Sequence, residues 1–167
     1  MAGPFETALA VVLEAEGGYT DDARDPGGKT RYGITEEVAR SHGYTGEMCD
    51  LPLDTAKAIY RKDYWDVCKC DNLPWPLSLY VFDAAVNQGC NPAIRMLQTT
   101  LDVPADGLIG ERTLTAAIRR GGGETPALYM AARAQRYTGT RNFDRFGRGW
   151  LKRLFVVTAA GATAKLE

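Results

Sequence analysis

Apolar residues recur at helical spacing along most of the chain, and glycine or proline interrupts each run. The first run includes Phe5, Leu9 and Val12 and ends at Gly17-Gly18; similar runs cover 53–64, 77–88, 93–101, 112–120, 126–137 and 150–158. This spacing predicts amphipathic helices, and glycine often follows a helix end. Residues 19–34 differ, with a turn at 26–28 and a short extended run, which predicts a small hairpin. The expected fold class is therefore a mostly α globule with a small β-hairpin after the first helix.

The scarcity of two residue types limits the chemistry that the chain can perform. It contains one histidine, His42, and two serines, Ser41 and Ser78, among 167 residues. Such a composition argues against a Ser-His-Asp hydrolase and against a zinc site with several histidines. If the chain is an enzyme, its chemistry is expected to come mainly from carboxylates.

The charge of the chain is distributed unevenly, although the net charge is only −1. Residues 119–153 hold nine arginines and lysines against two acidic residues. This segment, Arg119 to Arg153, predicts attraction to an anionic polymer or an anionic envelope surface. A solvated arginine-rich helix face is the alternative. Nucleic acid is disfavoured as a partner because no recognised binding motif accompanies the charge.

The four cysteines do not form a convincing zinc motif. Cys68 and Cys70 lie too close together for the usual ligand spacing, and adjacent-but-one residues also fit a mutual disulfide badly. Buried free thiols are the favoured interpretation, with one disulfide in an oxidising compartment as the alternative.

The sequence shows neither the apolar pattern of a membrane span nor the pattern of a signal peptide. No run of 18 apolar residues occurs, and the opening residues lack a basic segment. A monomer made in the cytoplasm is expected, which would reach any external target by another route. Residues 161–167 are expected to be a tail, with Leu166-Glu167 as a candidate cloning remnant.

Glu16 is the strongest candidate for a catalytic group. It stands at the end of the first predicted helix, where the partial negative charge of the helix end raises the pKa of a carboxyl group. A carboxylic acid that stays protonated near neutral pH is the general acid of glycosidic cleavage. Asp25 and Thr30 follow in the predicted hairpin, where Asp25 would act as base for a water held by Thr30. Alternatively, Asp25 simply initiates a turn and Glu16 is a solvated helix-end carboxylate.

Several motifs resemble glycoside hydrolase family 108, a family of N-acetylmuramidases found as phage endolysins and lysozyme-like bacterial proteins. These motifs are EGGY at 16–19, DPGGKTRYGI at 25–34, DAAVNQG at 83–89 and GWLKR at 149–153. The resemblance implies a lysozyme-like fold. It divides the chain into a catalytic region at 1–90 and a helical predicted peptidoglycan-binding region at 91–160, packed on it.

The resemblance also implies the reaction and the site. The reaction is hydrolysis of the β-1,4 bond between N-acetylmuramic acid and N-acetylglucosamine, with peptidoglycan glycan strands as partner and without metal or cofactor. Glu16 is the implied catalytic acid, and Glu16, Asp25 and Thr30 resemble the triad of phage-type lysozymes. The candidate substrate contacts are Tyr19, Tyr32, Trp75, Asp83 and Asn87. Structural roles are the alternative for these, above all a tie between helices for Asp83 and Asn87.

The expected setting is a phage endolysin that is released to the cell wall by a holin, with a bacterial protein exported by another path as the alternative. Two other functions compete with hydrolysis. A lytic transglycosylase would cleave the same bond without water and leave a 1,6-anhydro product. A non-catalytic cell-wall binding or secretion-accessory protein would keep the fold alone.

Overall fold

A computed structural model of the protein describes residues 3–16 and 29–164. Within these residues, helices account for most of the chain and two short strands form the only sheet. The α-helices are α1 (Pro4–Glu16), α2 (Glu36–Ser41), α3 (Leu53–Tyr60), α4 (Leu77–Gln88), α5 (Cys90–Thr100), α6 (Glu111–Arg120), α7 (Thr125–Thr138) and α8 (Phe143–Thr163). The strands are β1 (Thr30–Arg31) and β2 (Ile34–Thr35), and single helical turns of other types occur at Met48–Asp50, Arg61–Trp65 and Cys70–Asn72. The predicted fold class, mostly α with a small hairpin, is confirmed.

Helix α4 forms the centre of the fold. Residues 77–85 are all buried, so this helix is apolar around its whole circumference rather than along one stripe. It packs against α1, α5, α7 and α8. The helix predicted at 77–88 is confirmed, and its central position makes α4 the element to which the other helices are fixed.

Helix α1 packs against α4 through one apolar face. Phe5, Ala8, Leu9 and Val12 are its buried residues, at the three- and four-residue spacing of a helical stripe. The Phe5 ring lies 5.3 Å from that of Trp65 and 6.0 Å from that of Phe82, each in an edge-on arrangement that aromatic pairs favour. This packing fixes the direction of α1, and therefore the place of its last residue, Glu16.

The hairpin is a minimal antiparallel pair. Thr30 pairs with Thr35 and Arg31 pairs with Ile34, so Tyr32 and Gly33 form a two-residue turn. Both turn residues have positive φ, 54° for Tyr32 and 74° for Gly33. Two successive residues of this kind match the twist of a tight hairpin, and glycine adopts such a φ without steric cost.

The last helix differs from its prediction. Helix α8 runs from Phe143 to Thr163, whereas the periodicity predicts only 150–158, so Gly147 and Gly149 precede the predicted start. Both glycines lie inside the helix. A methyl group at Gly147 would approach the Phe143 ring to 2.7 Å, so glycine is needed here for close packing and does not mark a bend.

Two smaller expectations also change. All four cysteines are free thiols, and Cys68 and Cys70 are buried as expected, but Cys49 is exposed. His42, which the sequence suggests is exposed, is half-buried and lies 2.8 Å from the Asp63 carboxylate.

Within the described part of the chain, no helix combines the length and the apolar character needed to cross a membrane.

Candidate active site

The hairpin turn packs directly against Glu16. Glu16 is the last residue of α1 and is half-buried. A methyl group at Gly33 would lie 3.0 Å from both Cβ and Cγ of Glu16, and 2.7 Å from the Tyr60 hydroxyl. Any side chain at Gly33 would therefore displace the turn or the glutamate, so glycine at this position allows the hairpin to approach the helix end.

Tyr60 holds the other side of the turn. Its hydroxyl donates a hydrogen bond of 2.7 Å to the carbonyl of Tyr32. Burial, followed by the nearby charge of Glu16, raises the pKa of Tyr60, so the hydroxyl stays protonated and remains a donor. The hairpin tip is thereby fixed relative to both α3 and Glu16.

Arg153 of α8 binds the candidate catalytic carboxyl group. Its Nη1 lies 2.6 Å from Oε1 of Glu16, and the two side chains are only 11% and 22% exposed. No described residue forms a hydrogen bond with Oε2 of Glu16. One oxygen of the carboxyl group is thus fixed by a charge-assisted bond to Arg153.

A fully buried carboxylate anchors Arg153 from behind. Asp83 of α4 is 0% exposed, and its Oδ1 accepts a 2.9 Å hydrogen bond from Nε of Arg153. Arg153 Nη2 lies 2.8 Å from the same oxygen but is poorly aligned for a hydrogen bond, so it adds charge attraction only. Burial alone would lower the pKa of Arg153, but Asp83 and Glu16 outweigh it and raise that pKa. The guanidinium is therefore permanently charged.

The second oxygen of Asp83 binds another buried arginine. Nη2 of Arg133, on α7, lies 2.6 Å from Oδ2 of Asp83, and both side chains are 0% exposed. Nε of Arg133 in turn donates a 3.1 Å hydrogen bond to Oε1 of Gln88. The Asp83 carboxylate therefore lies between two guanidinium groups, Arg153 and Arg133, which makes the burial of these charges tolerable, and the Glu16 carboxyl group lies at the outer end of the series. We call this series of side chains, Glu16, Arg153, Asp83, Arg133 and Gln88, the charge ladder.

Comparison with known proteins identifies the family. Residues 9–89 match the family model described as glycosyl hydrolase 108, and residues 92–155 match the model described as predicted peptidoglycan domain. Among solved structures, Brucella abortus SagA is 33% identical, with 95% of this chain and 94% of that chain covered and a TM-score of 0.82. The chain belongs to glycosyl hydrolase family 108. A comparison with curated proteins returned no match.

Membership of this family makes the protein a glycoside hydrolase that acts on the bacterial cell wall, with peptidoglycan as its partner. The resemblance drawn from the motifs is thereby confirmed. The charge ladder crosses both matched regions, since Glu16, Asp83 and Gln88 lie in the first and Arg133 and Arg153 lie in the second.

The residues predicted for the hydrolase site fall into three groups. Asp25 and Tyr19 lie outside the described residues, so their predicted roles as base and substrate contact remain predictions. Thr30 lies in β1 and Tyr32 in the turn that contacts Glu16. The tip of the hairpin thus packs against Glu16, and the roles of Thr30 and Tyr32 remain predictions.

The remaining predicted contacts have partners within the protein. Asp83 is fully buried with both oxygens bound by arginines, so it can act on a substrate only through them. Trp75 is half-buried, and its Nε1 donates a 2.8 Å hydrogen bond to the carbonyl of Gly161. Oδ1 of Asn87 accepts a hydrogen bond from the Tyr137 hydroxyl. These contacts fit the alternative of structural ties between helices.

Sequence reasoning missed the roles of Arg133 and Arg153. Both belong to the basic segment for which surface attraction is predicted, whereas Arg133 is fully buried and the Arg153 side chain is only 11% exposed. The sequence carries a signal for Arg133, because this arginine shares one helical face with three apolar or aromatic residues that are buried: Tyr129, Met130 and Tyr137. An arginine on an apolar face predicts a buried partner, which here is Asp83.

Proposed function

We propose that the protein is an N-acetylmuramidase that hydrolyses the β-1,4 bond between N-acetylmuramic acid and N-acetylglucosamine. The observation that carries this proposal is the carboxyl group of Glu16, placed at a helix end against a fixed hairpin with one oxygen held by Arg153. Family membership supports the reaction class, and the geometry supports Glu16 as the general acid.

The proposed reaction begins with proton transfer. Glu16 donates its proton to the glycosidic oxygen, which leaves as the 4-hydroxyl of N-acetylglucosamine while the C1 carbon gains oxocarbenium character. Water then adds to C1, and its proton passes to a base, for which we propose Asp25, with Thr30 holding the water. Solvent returns a proton to Glu16 and removes one from Asp25, so the enzyme is regenerated.

Arg153 acts as a positioning residue in this scheme. When Glu16 loses its proton, a negative charge develops 2.6 Å from a permanently charged guanidinium. The attraction stabilises the glutamate at the moment of transfer, and it requires no rearrangement because Asp83 already holds Arg153 in place. Tyr19 and Tyr32 are proposed as substrate contacts beside the acid.

Longer-range attraction to the cell wall is proposed for the exposed part of the basic segment. Peptidoglycan carries carboxylates on its peptide stems, so a basic surface raises the local concentration of enzyme at the polymer. The exposed members of the segment are Arg119, Arg120, Arg136, Arg141, Arg145, Arg148 and Lys152. Host-cell lysis by a phage endolysin is the setting we propose for this activity, and an exported bacterial hydrolase is the alternative setting.

The Glu16→Gln variant tests the proposed acid. Loss of a general acid reduces the rate by about 10²–10⁴-fold, so release of reducing ends from purified peptidoglycan should fall by at least about 100-fold. Glu6→Gln is the matched control, because Glu6 is an exposed glutamate of the same helix and its substitution changes the charge equally. Undiminished hydrolysis by Glu16→Gln would refute the assignment.

Mass spectrometry of the wild-type products tests the reaction itself. Hydrolysis leaves reducing N-acetylmuramic acid ends, whereas transglycosylation leaves anhydro ends. The hydrolysis products are therefore heavier by one water molecule, about 18 Da, per cleaved bond. Products that end in 1,6-anhydro-N-acetylmuramic acid would refute hydrolysis and indicate that the protein is a lytic transglycosylase. Absence of any cleavage, with binding intact, would favour a non-catalytic wall-binding protein.

A further inference from the structure

Helix α8 presents one long face to solvent. Its buried residues, Gly147, Leu154, Val157 and Gly161, lie on the opposite side, where the helix packs against α1, α4 and α7. The exposed positions recur three or four residues apart, so they lie along a single side of the helix. We call this side the α8 face, and its members are Arg145, Arg148, Lys152, Phe155, Val156 and Ala159.

The C-terminal half of the α8 face is apolar. Phe155 is 74% exposed and Val156 is 44% exposed. Both side chains line an open groove of about 710 Å³, to which Phe143 and Leu151 add further apolar surface. Single exposed apolar side chains are common on proteins, but here they adjoin a groove with more apolar groups. Such a continuous exposed patch is typical of an interaction surface.

The N-terminal half of the α8 face is cationic. Arg145, Arg148 and Lys152 follow one another at about one turn, and none of them takes part in an ion pair between the described residues. Asp144 is the sole acidic residue of the helix. Glu14 of α1 lies at the margin of the face, where it lines a pocket together with Lys152. Positive charge therefore exceeds negative charge on this side of the molecule.

The combination of charge and apolar surface discriminates between possible occupants. A second copy of this chain would bring the same excess of positive charge, so repulsion opposes pairing through this face. The carboxylates of peptidoglycan would neutralise the cations but would offer the Phe155 ring no apolar surroundings. An anionic phospholipid surface supplies both, with charged headgroups beside an acyl layer. The long apolar stems of arginine and lysine let their charges reach the headgroups while phenylalanine is inserted.

We propose that the α8 face binds an anionic phospholipid surface, with Arg148 and Lys152 at the headgroups and Phe155 and Val156 at the acyl boundary. This inference goes beyond the proposed function and does not depend on hydrolysis. It also has a consequence for the enzyme. Arg153, which binds Glu16, directly follows Lys152 in the chain. A docked protein would therefore hold its candidate catalytic acid close to the lipid surface and act on the glycan strands nearest the membrane.

Sedimentation with lipid vesicles tests this proposal. One set of vesicles contains phosphatidylglycerol and phosphatidylcholine in equal parts, and the other contains phosphatidylcholine alone. Phe155→Ser removes an apolar group of the α8 face, and Arg148→Gln removes one of its charges. Ile118→Ser and Arg112→Gln are the matched controls, because both residues are exposed on α6 and Ile118 is 72% exposed.

Wild-type protein should bind the vesicles that contain phosphatidylglycerol and should not bind those of phosphatidylcholine alone. Arg148→Gln should weaken binding about fivefold, the effect of one cation at an anionic membrane. Phe155→Ser should weaken it at least about tenfold, because a phenylalanine side chain no longer leaves water. The two α6 variants should bind like wild type. All four side chains are exposed, so the variants should fold, which thermal unfolding would verify.

Absence of wild-type binding to the anionic vesicles at low salt would overturn the proposal. Binding by Phe155→Ser at wild-type strength would also overturn it, because the attraction would then be a general effect of the basic segment. A loss in Phe155→Ser of binding to purified peptidoglycan, with vesicle binding intact, would instead assign the α8 face to the polymer. The vesicles contain no glycan, so each of these results is independent of whether the protein hydrolyses peptidoglycan.

Discussion

Removal of the negative charge at Asp83 is the perturbation whose effect the structure defines best. The Asp83→Asn side chain has nearly the same shape, but it would leave Arg133 and Arg153 without their shared counterion in a fully buried position. Breaking a buried ion pair by removing one partner costs about 3–5 kcal/mol. For a chain of this length each kcal/mol lowers Tm by about 2–4 °C, so a decrease of roughly 6–20 °C is expected.

Thermal and urea unfolding followed by circular dichroism would measure this loss. Asp66→Asn is the matched control, since Asp66 also accepts a 2.9 Å bond from an arginine, Arg61, but is 53% exposed. An exposed pair of this kind contributes less than about 1 kcal/mol. Asp83→Asn should also reduce hydrolysis at temperatures where it is folded, because Arg153 would lose the contact that orients it toward Glu16. Equal stability losses for the two variants would refute the reasoning.

Two further predictions concern the hairpin and the basic segment. Gly33→Ala should destabilise the protein by roughly 1–3 kcal/mol and lower hydrolysis, because a methyl group there overlaps the Tyr60 hydroxyl and presses on Glu16. Gly43→Ala, which has a similar positive φ of 84° but no atom within 4 Å, isolates the backbone cost; equal losses of stability and activity in both variants would contradict the packing argument. Hydrolysis of peptidoglycan should fall as salt rises from about 0.01 M to 0.5 M, because the Debye length shrinks from about 30 Å to a few ångströms. A rate that stays flat over this range would show that the basic segment plays no electrostatic role.

The sequence predicts the elements around Glu16 because their signals are local. Apolar spacing over Phe5 to Val12 predicts α1, and its end next to two glycines predicts the position of Glu16. The turn residues predict a hairpin at the location where β1 and β2 occur. Each of these inferences needs only the order of residues within about a dozen positions, which is the range over which backbone preferences act.

The charge ladder depends instead on contacts between distant residues. Arg153 lies 137 positions from Glu16, and Arg133 lies 50 positions from Asp83. The apolar helical face that carries Arg133 indicates that this residue is buried, but no local preference identifies its partner or distinguishes Arg153 from the exposed arginines of the same segment. Their burial follows from how α7 and α8 pack on α4, and this packing is a property of the assembled fold.

The charge ladder also bears on how independent the two halves of the chain are. The proposed boundary near residue 90 separates Glu16 from Arg153, the residue that orients it. It also separates the buried helix α4 from α5, α7 and α8, which cover it. Residues 1–90 alone would expose much of α4 and would leave the Asp83 carboxylate buried without a counterion, or hydrated in place of its arginines. Because both outcomes are costly, the two regions are better regarded as one folding unit in which Arg153 of the second region completes the surroundings of Glu16.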